Sequence, residues 1–308
     1  MAENKVKGQK IAVIGSTNTD MVVVTDTLPR PGETLLGGKF FMNAGGKGAN
    51  QAVAAARLGG NVSFVAKTGN DVFGRQAKEL FSKEGINTRA VCTDEESASG
   101  VALINVDKHG ENCIAVAPGA NDKLTPNDIQ SAEKQILESE IVLLQLEIPL
   151  VTVEYAINLA FRGGSKVVLN PAPARQLPDH LYKKLYLITP NETEAEVLTG
   201  VHVTDEPSAQ KAAEILVSKG TRHVIITLGS KGAYIYSNGE GNSIPAPKVN
   251  AIDTTAAGDV FNGALCVALA ENMPLAEAVR FAIKAASISV TRMGAQASAP
   301  FREEVRET

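Results

Sequence analysis

A chain of 308 residues with 44% hydrophobic content is long enough to bury one large core. Its formal charge of −4 leaves no basic footprint, which argues against nucleic acid and anionic membrane as partners. Cys92, Cys113 and Cys266 stand far apart with no C-x-x-C pair to suggest zinc or a redox centre, so reduced, structural thiols are expected.

The polar stretch 1–10 lacks the apolar core of a signal peptide, and no run reaches the roughly 20 apolar residues of a membrane span, so the expected location is cytoplasmic. Residues 10–15 form a short apolar run closed by glycine, the pattern of a strand buried on both faces. Similar runs recur at 62–66, 141–146, 166–169, 185–188 and 224–227. Helical stretches lie between them at 48–58, 72–83, 125–138, 150–162 and 205–219, several ending in glycine. Alternating strands and helices are βαβ units, so the fold is expected to be α/β, a doubly wound, mostly parallel sheet flanked by helices.

Two segments break this rhythm. Residues 16–42 and 96–118 hold extended runs with turn residues between them, read as antiparallel hairpins inserted into a single domain spanning 1–308. Such a small sheet cannot bury both faces alone, so it is expected to act as a lid over the active site and to pair two copies of the chain. Beyond it, alanine-rich helices are expected at 256–271 and 275–291, and the polar tail 302–308 is expected to fray.

Several motifs carry polar groups to strand ends. Asn18, Thr19 and Asp20 follow the first strand, at the carboxyl edge where open α/β sheets place ligands. A carboxylate there suits a neutral polyhydroxyl ligand better than a phosphate, although a plain turn also explains the segment. Gly46, Lys47, Gly48, Ala49 and Asn50 form a glycine turn opening a helix. This is not a P-loop, because Phe41 stands where the first glycine is needed and Gly48 where a Ser or Thr is needed. It reads either as a sugar-holding turn or as tight helix packing. Glu147 ends a strand at the same edge. Asn191 and Glu194 have the spacing of a capping box, or alternatively position hydrated Mg²⁺. Thr227, Leu228, Gly229, Ser230, Lys231 and Gly232 leave a strand into a glycine turn suited to nucleotide contacts, or to a hairpin.

The stretch 251–264 is the most informative. Ala256, Ala257 and Gly258 make a nearly side-chain-free turn into a helix, whose first N–H groups and dipole form an anion site. Asp259 one residue later repels a phosphate, so it reads either as a dipole-complementing residue or as the base for an attacking hydroxyl. His109, His180, His202 and His223 show no metal spacing.

Residues 253–263, Asp-Thr-Thr-Ala-Ala-Gly-Asp-Val-Phe-Asn-Gly, resemble the C-terminal signature of the ribokinase or PfkB family of carbohydrate kinases. Further matching motifs at 15–20, 31–33, 45–50, 69–71, 169–174, 189–194 and 227–229 extend the resemblance over nearly the whole chain. It implies ATP-dependent phosphorylation of D-ribose at O5, a β lid and a homodimer through the lids. Carried over by position, Asn18, Asp20, Gly46, Lys47, Asn50 and Glu147 would hold ribose, Asp259 would be the base, and residues 256–258 the anion hole. Asn191, Glu194, Thr227, Gly229, Ser230 and Gly232 would serve ATP and Mg²⁺. Asp253, Thr255, Ser289, Arg292, Gly294 and Ser298 would bind an activating K⁺, largely through backbone oxygens. Ile283 stands where relatives often carry a polar residue facing the nucleotide, which implies a relaxed nucleotide preference. The rival readings are another sugar kinase of the family, acting on deoxyribose or fructose, and a non-catalytic sugar-binding regulator.

Overall fold

The structure, a computed structural model, describes residues 10–307; residues 1–9 and Thr308 lie outside them. Thirteen strands build two sheets among these residues: β1 (Lys10–Ile14), β2 (Asn18–Val24), β3 (Lys39–Gly45), β4 (Asn61–Gly69), β5 (Asn87–Asp94), β6 (Gly100–Val106), β7 (Asn112–Ala117), β8 (Ile141–Leu144), β9 (Lys166–Leu169), β10 (Leu187–Ile188), β11 (His223–Thr227), β12 (Ala233–Ser237) and β13 (Glu240–Ile244). The large sheet runs β13-β12-β11-β10-β9-β8-β1-β4-β5. From β11 to β5 every pairing is parallel, and β12 and β13 continue one edge as an antiparallel hairpin.

Side-chain alternation divides each central strand between two cores. Ile11, Val13, Phe64, Leu143 and Ile225 pack against the helices Lys47–Arg57, Ala257–Ala270 and Leu275–Ser289. Ala12, Ile14, Val65, Leu144 and Ile226 pack on the other face against Leu150–Arg162, Glu192–Thr199 and Glu206–Ser218. This is the doubly wound arrangement expected from the apolar runs, because a strand covered on both faces has no polar alternation to show.

The expected helix 125–138 is two pieces, Pro126–Ser131 and Glu133–Leu137, and within the first Ser131 Oγ donates back to the Asn127 carbonyl. The tail is not frayed. Arg302–Glu307 is a turn of helix whose Arg302 donates to Glu271 at 2.7 Å and to the Leu58 carbonyl at 3.0 Å, with Val305 buried beneath it. Composition hid this, because the anchors come from segments distant in the chain.

The second sheet, ordered β3-β2-β6-β7, is built from the two segments that interrupt the strand–helix alternation. Both hairpins are antiparallel, and β2 joins them through a parallel pairing with β6, aligning Asp20 with Ala102. β3 continues past the expected boundary at 42 to Gly45 and runs directly into the helix that starts at Lys47. All six residues of β7 are exposed, so Cys113 there is not the packed structural thiol expected, whereas Cys266 is buried in the core.

Candidate active site

The carboxyl ends of β1, β8, β9 and β10 converge beneath the lid with the N-termini of the helices Lys47–Arg57 and Ala257–Ala270. Gly46 carries the chain from β3 into the first of these helices at φ 87°, and a Cβ there would stand 2.7 Å from the Asn18 amide nitrogen and from Thr17 Cα. Only glycine permits that approach. At Gly48 the constraint is steric: an added Cβ would meet the Ser16 amide at 2.6 Å.

Asp259 lies at the centre. Its Oδ2 accepts from Asn50 Nδ2 and its Oδ1 from Gln51 Nε2, both at 2.9 Å. Gln51 also donates to Asn170 Oδ1 at 3.0 Å and accepts from Gln145 Nε2 at 2.5 Å, so a buried amide chain fixes the carboxylate. Burial pushes the Asp259 carboxyl above the ordinary range, against the pull of the Lys47 ammonium and of the Asn50 and Gln51 hydrogen bonds. Asn50 Oδ1 is buried with no protein partner and awaits a donor such as a hydroxyl.

Asp20 and Glu147 add two more carboxyl groups. Burial, and then the charges of Glu147 and Asp259, raise Asp20 from 3.8 to about 6. Glu147 Oε2 accepts from Ser16 Oγ at 2.6 Å and from the Lys47 amide at 3.0 Å. Burial opposes the charge on Lys47, but Asp259, Glu147 and Glu194 outweigh it and hold the ammonium above its ordinary value. One cation among several carboxylates gives a pocket edge for hydroxyl groups and no surplus positive charge for a second phosphate.

Asn18 and Asp20 share one face of β2, so the Thr19 side chain between them points to the other. Ala49 belongs to the buried core and Gly48 packs closely on the Ser16 amide, so these two could meet a ligand only through their backbone. Sequence reasoning passed over Asn121, which accepts from the Thr17 amide at 2.9 Å and donates to Asn18 Oδ1 at 2.8 Å, orienting Asn18.

A cleft of about 690 Å³ opens beside this centre. Asn191, Thr227, Gly229, Ser230, Gly232, Gly258 and Ile283 all line it, as expected for a nucleotide site. Leu228 instead packs on the core, and Lys231 Nζ turns away to the Thr204 carbonyl at 3.2 Å. Missed entirely was the irregular segment containing Pro247, Lys248 and Val249, which forms a wall of the cleft without any motif to mark it. The first turn at the cleft floor starts at Ala256, in the left-handed region at φ 59°. The Ala257 amide is engaged with the Thr254 carbonyl at 3.2 Å, so of the expected anion-hole donors it is not presented; the next two amides, of Gly258 and Asp259, have no intrahelical acceptor.

Asn191 and Glu194 form a full capping box: Glu194 Oε2 accepts from the Asn191 amide at 2.9 Å and Asn191 Oδ1 from the Glu194 amide at 2.8 Å. The cap leaves Glu194 Oε1 over. Among the described residues no three His, Cys, Asp or Glu side chains cluster as a ready-made metal site. The segments of the expected cation site do meet, since the Ile252 amide donates to the Val290 carbonyl at 2.7 Å and the Gly294 amide to Asp253 Oδ2 at 2.8 Å. The Arg292 side chain pairs with Glu304, so Arg292 could contribute only its backbone oxygen, whereas Ser298 Oγ, which donates to the Ala295 carbonyl, keeps lone pairs.

A doubly wound sheet with a lidded pocket, a buried carboxylate and an anion-binding helix N-terminus defines a phosphotransferase architecture. Residues 8–302 match the family model of pfkB family carbohydrate kinases. The chain belongs to that family. It is 49% identical over 297 residues to a ribokinase of Haemophilus influenzae, covering 96% of this chain and 97% of that one. The structure of a ribokinase from Thermotoga maritima superposes with a TM-score of 0.90 at 41% identity, covering 97% of this chain and 98% of that one. An Arabidopsis thaliana ribokinase complexed with ribose and ATP matches with a TM-score of 0.90 at 31% identity, covering 97% and 98%.

Proposed function

We infer that this protein transfers the γ-phosphoryl group of ATP to O5 of D-ribose, giving ribose 5-phosphate and ADP. The observation that carries the reading is Asp259: a buried carboxylate, held by Asn50 and Gln51, next to Gly258, which lines a cleft of about 690 Å³. Ribose lies between Asn18, Asp20, Lys47, Asn50 and Glu147, where Asn50 Oδ1 accepts one of its hydroxyls. Asp259 accepts the O5 proton as O5 attacks phosphorus; the O5–P bond forms, the bond to the bridging oxygen breaks, and ADP departs. The raised pKa of Asp259 makes it a better base than an exposed aspartate. The Gly258 and Asp259 amides receive the charge of the transferring group.

Asn191 and Glu194 fit hydrated Mg²⁺ through Glu194 Oε1, since magnesium keeps several waters and takes few protein ligands. Bound there, it supplies charge neutralisation for the phosphates. Asp253, Thr255, Ser289, Arg292, Gly294 and Ser298 would hold a K⁺ ion, largely through backbone oxygens, and its charge would act beside the helix start at Ala256. The protein is cytoplasmic and acts as a dimer through the lids, where Phe40, Met42 and Leu103 are exposed.

ADP release with Mg-ATP, measured against ribose, deoxyribose, fructose and adenosine with K⁺ or Na⁺, tests the reading. Selective turnover of ribose, stimulated by K⁺, supports it; preference for another sugar overturns the ribose assignment, and sugar binding without turnover overturns catalysis.

A further inference from the structure

A second cavity of about 600 Å³ lies beyond the nucleotide cleft. Pro247, Val249, Ile283 and Ser287 line both spaces, so the two meet across these four residues. Only Ser287 among them offers a side-chain hydrogen bond. The cavity's remaining apolar surface comes from Ile244, Pro245 and Ile288, and its rim carries Arg280 and Lys284, one turn apart on the helix Leu275–Ser289. Neither cation has an acidic partner among the described residues.

The orientation of a nucleotide in the cleft follows from its two ends. Phosphates belong at the Gly258 and Asp259 amides, so the base belongs at the apolar end formed by Ile283, Pro247 and Val249. Adenine carries its ribose at N9, so the opposite edge, with the amine at C6, is directed away from the phosphates and toward the second cavity. We propose that this second cavity is an extension of the nucleotide site, so that the enzyme accepts as phosphoryl donors ATP analogues bearing an apolar substituent on N6. This rests on the ATP-dependent reading above. The transfer itself is unchanged: O5 gains the phosphoryl group, the substituted ADP leaves, and Asp259 takes the proton. The rim cations add a charge rule, by which an N6 arm ending in a carboxylate binds better than one ending in an amine.

The test is ribose 5-phosphate formation with ATP, N6-benzyl-ATP and N6-(6-aminohexyl)-ATP. The expected result is that N6-benzyl-ATP keeps kcat/KM within about tenfold of ATP, and that the aminohexyl analogue falls below it. Arg280→Trp and Lys284→Trp fill the second cavity from its rim without touching the ATP cleft. Both are expected to leave turnover with ATP unchanged and to lower kcat/KM for N6-benzyl-ATP by about tenfold or more. Rejection of N6-benzyl-ATP by a protein that turns over ATP overturns the proposal, as does its unaltered use by both variants. Failure with ATP itself overturns the functional reading instead.

Discussion

Gln51 Nε2 lies 2.9 Å from Asp259 Oδ1, bringing together residues far apart in the chain. The contact makes Gln51 a positioning residue, since it touches the base and, through Asn170 and Gln145, the ends of two strands. It also lowers the pKa of Asp259 against the effect of burial.

Asp259→Asn removes the base while keeping the size and most hydrogen bonds of the side chain. It is expected to lower kcat by about 10²–10⁴-fold with ribose affinity little changed. Single-turnover kinetics together with calorimetric titration of ribose check both halves; near-normal turnover would remove Asp259 from the mechanism.

Gln51→Leu deletes a hydrogen bond that favours the charged form of Asp259, so its carboxyl titrates higher still. The acidic limb of the kcat/KM profile is therefore expected to move to higher pH than in the wild type. An unmoved limb, with only a uniform loss of rate, would assign Gln51 a packing role alone.

Asp20 is raised from 3.8 to about 6 by burial and by Glu147 and Asp259. A carboxyl with a folded pKa above its unfolded value stabilises the fold while protonated; the contribution is complete below 3.8 and lost as pH rises through about 6. Asp20→Asn is thus expected to melt higher than the wild type at pH 8, by up to about 3 kcal/mol in stability. The difference shrinks as pH falls toward 4. Thermal melts of both proteins across this range decide it, and an equal gain at every pH contradicts the electrostatic account.

Gly48→Ala places a methyl 2.6 Å from the Ser16 amide and 2.7 Å from the Gly15 carbonyl carbon. Backbone cannot yield as a side-chain tip does, so a loss of about 1–3 kcal/mol is expected, with displacement of the sugar-binding turn. Denaturant unfolding and the KM for ribose measure the two effects, and normal values for both would show that the turn has room.

Phe40→Asp and Leu103→Asp, on the same outward face of the lid, are expected to convert a dimer to monomers in sedimentation experiments. A monomeric wild-type protein would exclude pairing through this face.

Much of the fold was legible in the sequence because its signals are local. Apolar runs such as 141–144 and glycine-closed helices report burial and termination without reference to any distant residue, and they gave the parallel sheet. β5 escaped, because Asn87, Thr88, Arg89 and Asp94 make it a polar edge strand with no such run. The polar groups that gather at the candidate site, including Asp20, Lys47, Asn50 and Asp259, were readable for the same local reason, since they stand near strand ends and glycine turns. What only the tertiary structure decided was which groups touch: that Gln51 and Asn121 hydrogen-bond to Asp259 and Asn18, that the Thr19 side chain lies on the face opposite Asn18 and Asp20, and that residues 247–249 wall the cleft. Those assignments depend on strand register, on a single-residue alternation of faces and on contacts across the whole chain, and side-chain chemistry read one segment at a time contains none of these distances.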